Sequence, residues 1–458
     1  MTLHIHFVGI KGAGMSALAQ ISTQLEDAEI SGSDVSERFY TDSVLERAKI
    51  PVLEFSPQNV ETADLVVASA AYGDSHPEIA RALELSIPVL TYPQYLGRLL
   101  AKKRGVSVSG THGKTTTTAM IGLVLLQAGL DPTIVVGSDV PGIGGNAHAG
   151  EGEYFIAESC EYRRHFLNYT PEHLVITNIE FDHPDYFRNL DDVIAAFVEF
   201  AGKVPPQGRV YVWAEDPNRS LIVSEAPVTT FGFSPSADVR AAEIAFRDEG
   251  SHMKIICNGQ YAGDLHLRVP GRHNILNALA AIALCRGLGV PLSKILFCLS
   301  QFSGTKRRFE HLGTNTNGAL IIDDYAHHPT EIRATLEGAR FSFPERRIRA
   351  VFQPHTFSRT EHLMAEFSKS FQEANEVIVS DIFASAREAE THSVSASALA
   401  ELIRQNGPEA RHIASLADIT LYLTETLSPN DLILTLGAGD IYKVGLGIVS
   451  KTAGNESP

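Results

Sequence analysis

Val106-Ser-Val-Ser109-Gly110-Thr-His-Gly113-Lys114-Thr115-Thr116-Thr117 decides how this chain is read. A short apolar run ends in a glycine-rich loop, and a lysine followed by threonines opens a stretch of helical period. Nucleoside triphosphates require that order. Loop amides cradle phosphate oxygens at the start of a helix, Lys114 reaches the terminal phosphates, and the Thr115 hydroxyl is available to Mg²⁺. The usual spacing is G-x-x-x-x-G-K-[ST]. Position 108 is valine here, so the loop is shorter.

Outward from this unit, Val- and Ile-rich runs alternate with helical stretches, which predicts α/β layers around parallel sheets. Strands are expected at Leu3–Gly9, Ala28–Gly32, Leu65–Ser69 and Ile87–Tyr92, with a helix over Ala13–Glu26. Lys102-Lys103-Arg104 reads as a solvated connection and marks a boundary. Further strands are expected near Thr133–Val136, Tyr154–Ala157, Leu174–Asn178 and Val210–Trp213. Between Ala237 and Val269 the pattern becomes alternating, with turns at Asn258–Gly259 and Ala262–Gly263, which predicts an antiparallel insertion. A helix over Asn274–Gly289 follows, and a third block has strands near Leu320–Asp323, Arg349–Phe352, Val377–Ser380 and Leu432–Thr435. The expected partition is three α/β domains, 1–103, 104–311 and 312–458. These are a Rossmann-like N-terminal domain, a P-loop-type central ATPase domain with the antiparallel insertion, and a Rossmann-like C-terminal domain.

Composition narrows the function. A chain of 458 residues is too long for one compact core. With 38 basic against 54 acidic residues the net charge is −16, which argues against a nucleic-acid polymer or an anionic membrane as partner. No apolar run approaches the ~20 residues that span a bilayer. The N-terminus lacks a basic region and a cleavage site, and the four cysteines show no CxxC spacing, so a reducing, cytoplasmic setting is expected.

Several other stretches carry chemistry. Gly9-Ile-Lys-Gly12-Ala-Gly14-Met-Ser16-Ala17 follows the first strand, and Asp34 lies about 20 residues on, where a ribose-binding acid would be. By itself this fits a dinucleotide site or a tight turn in a doubly wound domain, and it does not name the nucleotide. Glu158 and Asp182-His183 stand at or beyond strand ends in the block of the lysine loop, so Glu158 and His183 are candidate metal ligands. Asp182 is either a ligand or the cap of the following turn. In Gly304-Thr-Lys-Arg307-Arg308-Phe309-Glu310 an arginine could stabilise a transferring phosphoryl, or the stretch is a solvated basic hinge. Asp323-Asp324-Tyr325-Ala-His327-His328-Pro329-Thr-Glu331 reads as a strand end running into a Pro-started helix, and its adjacent histidines point apart, against a zinc site. Arg359 is either a clamp for a small carboxylate or a surface salt bridge. Cys160 reads as a small buried strand-end residue rather than a nucleophile.

Taken in order, the runs Gly9–Ala17, Gly110–Thr116, Glu161-Tyr-Arg163-Arg164-His165-Phe166, Asp323–Glu331, Gln353-Pro-His355 and Gly437-Ala-Gly439-Asp440-Ile441 resemble the Mur ligase family from His4 to about Val444. These are ATP-dependent amide-bond formers of peptidoglycan precursor synthesis. The resemblance implies an enzyme that joins L-alanine to the lactyl carboxylate of UDP-N-acetylmuramate through an acyl phosphate. It implies that Gly12, Ala13, Gly14, Met15 and Ser16, with Asp34 and Ser69, bind the UDP-sugar rather than NAD. ATP would lie on Gly110, Thr111, His112, Gly113, Lys114, Thr115 and Thr116, with Asn274 and Asn277 at adenine, Arg308 at the phosphates and Asp324 near the ribose. Thr115 and Glu158 would hold one Mg²⁺ and His183 a second, making Lys114, Glu158 and His183 the catalytic set. Tyr325, His327 and Arg359 would form the L-alanine pocket. Several sibling ligases carry a carbamylated lysine after the metal-binding histidine, but this chain has no lysine between His183 and Lys203. Lys11 stands where glycine is common, which leaves open whether its side chain meets the diphosphate. The resemblance leaves two alternatives, a recycling ligase that adds a whole peptide and a non-catalytic nucleotide sensor. His327 with Arg359 favours a small amino acid. A monomer or weak dimer is expected.

Overall fold

The computed structural model describes residues 2–39, 41–247, 250–384 and 394–453. They form two compact units, one made of Met1–Ile179, Ile194–Val239 and Leu279–Cys298, the other of Glu180–Val193, Arg240–Ala278 and Leu299–Pro458.

In the first unit, five parallel strands stand in the order Val52–Leu53, Ala28–Ser33, Leu3–Val8, Leu65–Ala68, Val89–Thr91. Leu3–Val8 is central and covered on both faces, so Ile5, Phe7 and Val8 are wholly buried, as a continuous apolar run requires. His6 is the polar exception. Its Nδ1 lies 2.8 Å from Ser31 Oγ and its Nε2 3.2 Å from Ser33 Oγ on the neighbouring strand. The chain leaves Leu3–Val8 at the point where strand order reverses, and an open α/β sheet has its ligand crevice there.

The same unit holds seven consecutive strands of a ten-stranded second sheet, in the order Val228–Gly232, Arg209–Trp213, His173–Ile176, Arg104–Ser109, Tyr154–Glu158, Thr133–Val140, Gly145–His148. Among these seven, all neighbours are parallel except the last pair. The lysine loop leaves the middle strand, flanked by Glu158 and Thr177 at the ends of its two neighbours. Lys102 is exposed in the turn before this strand, as a solvated connection would be, but the two residues after it are held in place. Arg104 begins the strand and donates to both Glu172 oxygens at 2.9 and 2.7 Å, while Lys103 Nζ donates to Gly150 O at 2.6 Å.

In the second unit, Gly250–Cys257 and Gln260–Leu267 form the expected antiparallel hairpin, turning at Asn258–Gly259 with both residues left-handed. Ala262–Gly263 is not a turn but lies inside the returning strand. The register slips there, Ile255 opposing Gly263 and Ile256 opposing Tyr261, so the small residues mark a β-bulge. The third sheet runs Glu310–Thr314, Leu320–Asp324, Asp431–Leu436, Arg347–Phe352, Glu376–Val379, Glu409–His412, parallel but for its first pair. Ile322, Ile348, Phe352, Val377 and Leu434 are wholly buried in one of its two cores. The loops after Asp324, Phe352 and Leu436 emerge together at its carboxyl edge.

Candidate active site

The first glycine loop folds onto the end of the second strand. Gly9 and Ile10 donate to Ser33 O, and Gly9 has φ +78, with Ser69 Cβ and the Tyr72 ring where a β-carbon would go. Gly12 caps the helix Ala13–Leu25, whose opening turn carries Ala13, Gly14, Met15 and Ser16. Asn146, on the edge strand of the second sheet, donates to Ala13 O at 2.8 Å. Asp34 accepts from Lys11 N at 2.7 Å and Val35 N at 2.8 Å, so its carboxylate braces the loop. The Lys11 side chain is turned to the following segment, where Nζ donates to Val35 O and Glu37 O at 2.9 and 2.8 Å and pairs with Asp42 at 3.1 Å.

The lysine loop is held from beneath. Thr111 N donates to Asn178 O and His112 N to Asn178 Oδ1 at 2.9 Å, while the Thr177 hydroxyl donates to His112 O. Gly110 has φ +133, and Gly113, at φ +81, starts the helix Lys114–Gln127. Lys114 Nζ donates to Gly110 O at 2.6 Å, Thr111 O at 3.0 Å and Glu161 Oε2 at 2.9 Å. Burial works against its charge, but the Glu161 carboxylate outweighs that and holds the ammonium above its ordinary pKa. Thr115 Oγ1 lies 3.0 Å from both Glu158 oxygens, and Gly137 N donates to Glu158 at 2.8 Å. Thr116 is buried in the same turn. Burial pushes the Cys160 thiol up to about 12, with Glu161 next to it, so Cys160 stays protonated and unreactive near neutrality.

A hydroxyl and a carboxylate converging at a helix start are the hard-oxygen donors that Mg²⁺ takes, so Thr115 and Glu158 fit that ion. Glu161, Thr177 and Asn178 belong to the loop's support and were not singled out for these roles by sequence. All three lie in runs already quoted, but which of them faces the loop is settled only by the fold.

The second unit gathers the remaining residues. His183 has φ +57, and its N–H donates to Asp182 Oδ1 at 2.6 Å. Asp182 also accepts from Arg359, Nε at 2.8 Å and Nη2 at 3.4 Å, and both side chains are buried. Arg359 is thus in a buried ion pair rather than a surface one. Desolvation alone would raise the Asp182 pKa, but the Arg359 guanidinium holds it well below the usual range.

His327 Nδ1 lies 3.0 Å from Tyr325 O and 3.2 Å from Glu331, and burial pushes its pKa down to about 3 despite that carboxylate, leaving a neutral ring. Its neighbour points elsewhere, as expected: His328 Nε2 is 3.3 Å from Phe181 O. The Arg308 guanidinium lies 4.9 Å from the Tyr325 ring centre. The adjoining residues Arg307 and Phe309 both have positive φ, an irregular hinge rather than a solvated run. Asn274 Nδ2 donates to Pro270 O at 2.6 Å and Asn277 to Asn274 Oδ1 at 3.3 Å, both buried at the start of the helix Arg272–Gly287.

Asp324 spans the hinge, accepting from Phe309 N at 2.8 Å and Ala326 N at 2.7 Å. Burial raises its pKa from 3.8 to about 6, against the pull of Arg308. The folded chain therefore keeps this proton where the unfolded chain has lost it, and stability from this group falls as pH rises from about 4 to about 6. The melting temperature of Asp324→Asn relative to the parent should rise as the pH is raised from about 4 to about 6. A difference that stays constant would remove Asp324 from the hinge's titration.

Three family models match in chain order: "Mur ligase family, catalytic domain" over residues 4–104, "Mur ligase middle domain" over 108–285, and "Mur ligase, glutamate ligase domain" over 307–439. The chain belongs to the Mur ligase family. It is 68% identical over 449 residues to a UDP-N-acetylmuramate–L-alanine ligase of Desulfitobacterium hafniense, covering 98% of this chain and all of that one. A protein of that name from Acetivibrio thermocellus is 44% identical, with 96% and 94% covered. Among solved structures, the UDP-N-acetylmuramate-alanine ligase MurC of Thermotoga maritima superposes with a TM-score of 0.84 at 31% identity, over 99% of this chain and 100% of that one. The three-domain α/β architecture of this Mur ligase is the fold expected from its motifs.

Proposed function

We propose that the chain is an ATP-dependent ligase that joins L-alanine to the lactyl carboxylate of UDP-N-acetylmuramate, a step of peptidoglycan precursor synthesis. The observation that carries this reading is the lysine loop, with a part-buried ammonium at the start of a helix and the Thr115 hydroxyl 3.0 Å from Glu158 beside it. The names of the relatives supply the substrates. ATP is the nucleotide used across the family.

In the first step a lactyl carboxylate oxygen bonds to the γ-phosphorus and the bridging bond to ADP breaks. In the second, the L-alanine amine attacks the acyl carbon, the carbon–oxygen bond to phosphate breaks, and phosphate leaves. Lys114 stabilises charge on the transferring group, and the loop amides fix its approach. Thr115 and Glu158 would hold one Mg²⁺ and His183 a second, which when bound neutralise phosphate and carboxylate oxygens. Gly12, Ala13, Gly14, Met15, Ser16 and Ser69 hold the UDP-sugar, with Asp34 bracing that loop. Asn274, Asn277, Arg308 and Asp324 serve the ATP side. Tyr325, a neutral His327 and Arg359 form the amino-acid pocket, and Arg359 receives the carboxylate. This reading places the protein in the cytoplasm with its small-molecule substrates, as a monomer or weak dimer. Among the described residues no helix is long and apolar enough to cross a membrane.

The test is ADP release with each substrate withheld in turn, followed by a panel of amino acids. ADP should accumulate only when UDP-N-acetylmuramate and an amino acid are both present, with L-alanine preferred. Release at the full rate without either one would overturn the ligase reading, and preference for an intact peptide would favour the recycling reaction.

A further inference from the structure

Arg359 has two edges that can each grip a carboxylate, and among the described residues a carboxylate takes one. Asp182 occupies the Nε–Nη2 edge, at 2.8 and 3.4 Å. The remaining nitrogen, Nη1, makes long contacts with His355, 3.3 Å to its O and 3.4 Å to its Nδ1. Around His355 stand the His327 ring, 6.2 Å away, and the Phe383 ring, stacked at 5.5 Å. Tyr325 closes on His327 at 5.2 Å. Uncharged rings thus surround His355 beside the guanidinium, and His327 adds no positive charge of its own.

Asp182 does more than neutralise the arginine. The same oxygen that accepts from Arg359 Nε accepts from His183 N–H at 2.6 Å. One buried oxygen thus ties the guanidinium to the backbone of the segment carrying His183. Thr330 holds that segment as well, donating to Glu180 at 2.8 Å. A guanidinium on a flexible stem loses less entropy on binding a ligand when one edge is already fixed.

Resting on the amino-acid pocket described above, we propose that Asp182 is the positioning residue of that pocket: it fixes one edge of Arg359 so that the Nη1–Nη2 edge is presented to the carboxylate of the incoming amino acid. Asp182 is therefore neither a metal ligand nor only a turn cap. Its loss should weaken the use of the amino acid far more than that of the nucleotides.

The experiment is steady-state kinetics of the full chain with ATP, UDP-N-acetylmuramate and L-alanine, each varied in turn. Asp182→Asn should raise the KM for L-alanine tenfold or more, move the other two KM values less than twofold, and recover kcat at high L-alanine. An unchanged KM for L-alanine, or three KM values rising together, would overturn the proposal. Should Asp182→Asn fail to fold, Asp182→Glu decides, because it keeps the charge but shifts the guanidinium by a methylene. A several-fold rise in the L-alanine KM then supports the assignment, and parent behaviour overturns it. If the parent enzyme uses another amino acid and not L-alanine, the substrate reading fails instead, and the same comparison is made with that amino acid.

Discussion

Lys114→Ala should lower ADP formation by about 10³-fold, roughly 4 kcal/mol of transition-state stabilisation. Lys114 is the one ammonium at the opening of the lysine-loop helix, where its Nζ donates to the Gly110 and Thr111 carbonyls. Trapping the acyl phosphate as a hydroxamate should fail in step with ADP release, because the loss falls on the first step. The substitution also strands Glu161, which is 2% exposed, without its cation. Breaking one side of a buried pair costs about 3–5 kcal/mol, so the variant should melt lower as well. The double variant Lys114→Ala/Glu161→Gln separates the two effects: stability should return while activity does not. A double variant that regained both would mean that Lys114 serves the fold and not the chemistry.

Gly110→Ala should be as damaging for a different reason. A β-carbon at residue 110 would lie 2.0 Å from Thr177 Oγ1 and 2.9 and 3.0 Å from the backbone nitrogens of Thr177 and Asn178. The Thr177 side chain can rotate aside, but the backbone nitrogens cannot, and φ +133 is unfavourable for any residue with a β-carbon. The loop must shift, which moves the amides proposed to hold phosphate and breaks the contacts of Thr111 and His112 with Asn178. We expect less than a few per cent of parent activity and a clear drop in melting temperature, of order 3 kcal/mol. Gly73→Ala, where nothing lies within 4 Å, is the control and should behave as the parent. Parent-like activity of Gly110→Ala would show that the loop tolerates another conformation.

Local physics made much of this legible. Buried strands such as Leu65–Ala68 and Glu376–Val379 carry short Val- or Ile-rich runs, and the glycines of the lysine loop are required by its own turn, so both could be read without a fold. The edge strands Glu310–Thr314 and Glu409–His412 could not, since exposure leaves them no apolar signature. Ala262–Gly263 misled because small residues mark bulges as well as turns. Arg359 was recognised as chemistry, but its partner Asp182 lies 177 residues away, a distance no spacing rule crosses. Lys11 shows the same limit. Its place in the glycine loop leaves open whether it meets a diphosphate, while in the fold its side chain satisfies the carbonyls of residues 35 and 37.

The bonds of Lys114 have one more consequence. Its ammonium is part-buried and already matched by a carboxylate, so a phosphate does not find a bare charge but must outcompete Glu161 and two carbonyls for it. Entry is an exchange of ligands on nitrogen. A stray monoanion gains little from such a trade, whereas a polyphosphate that also occupies the loop amides gains a great deal. The loop thus sorts anions by how many of its donors they engage at once, which lets a protein of net charge −16 take a nucleotide without attracting every anion in solution.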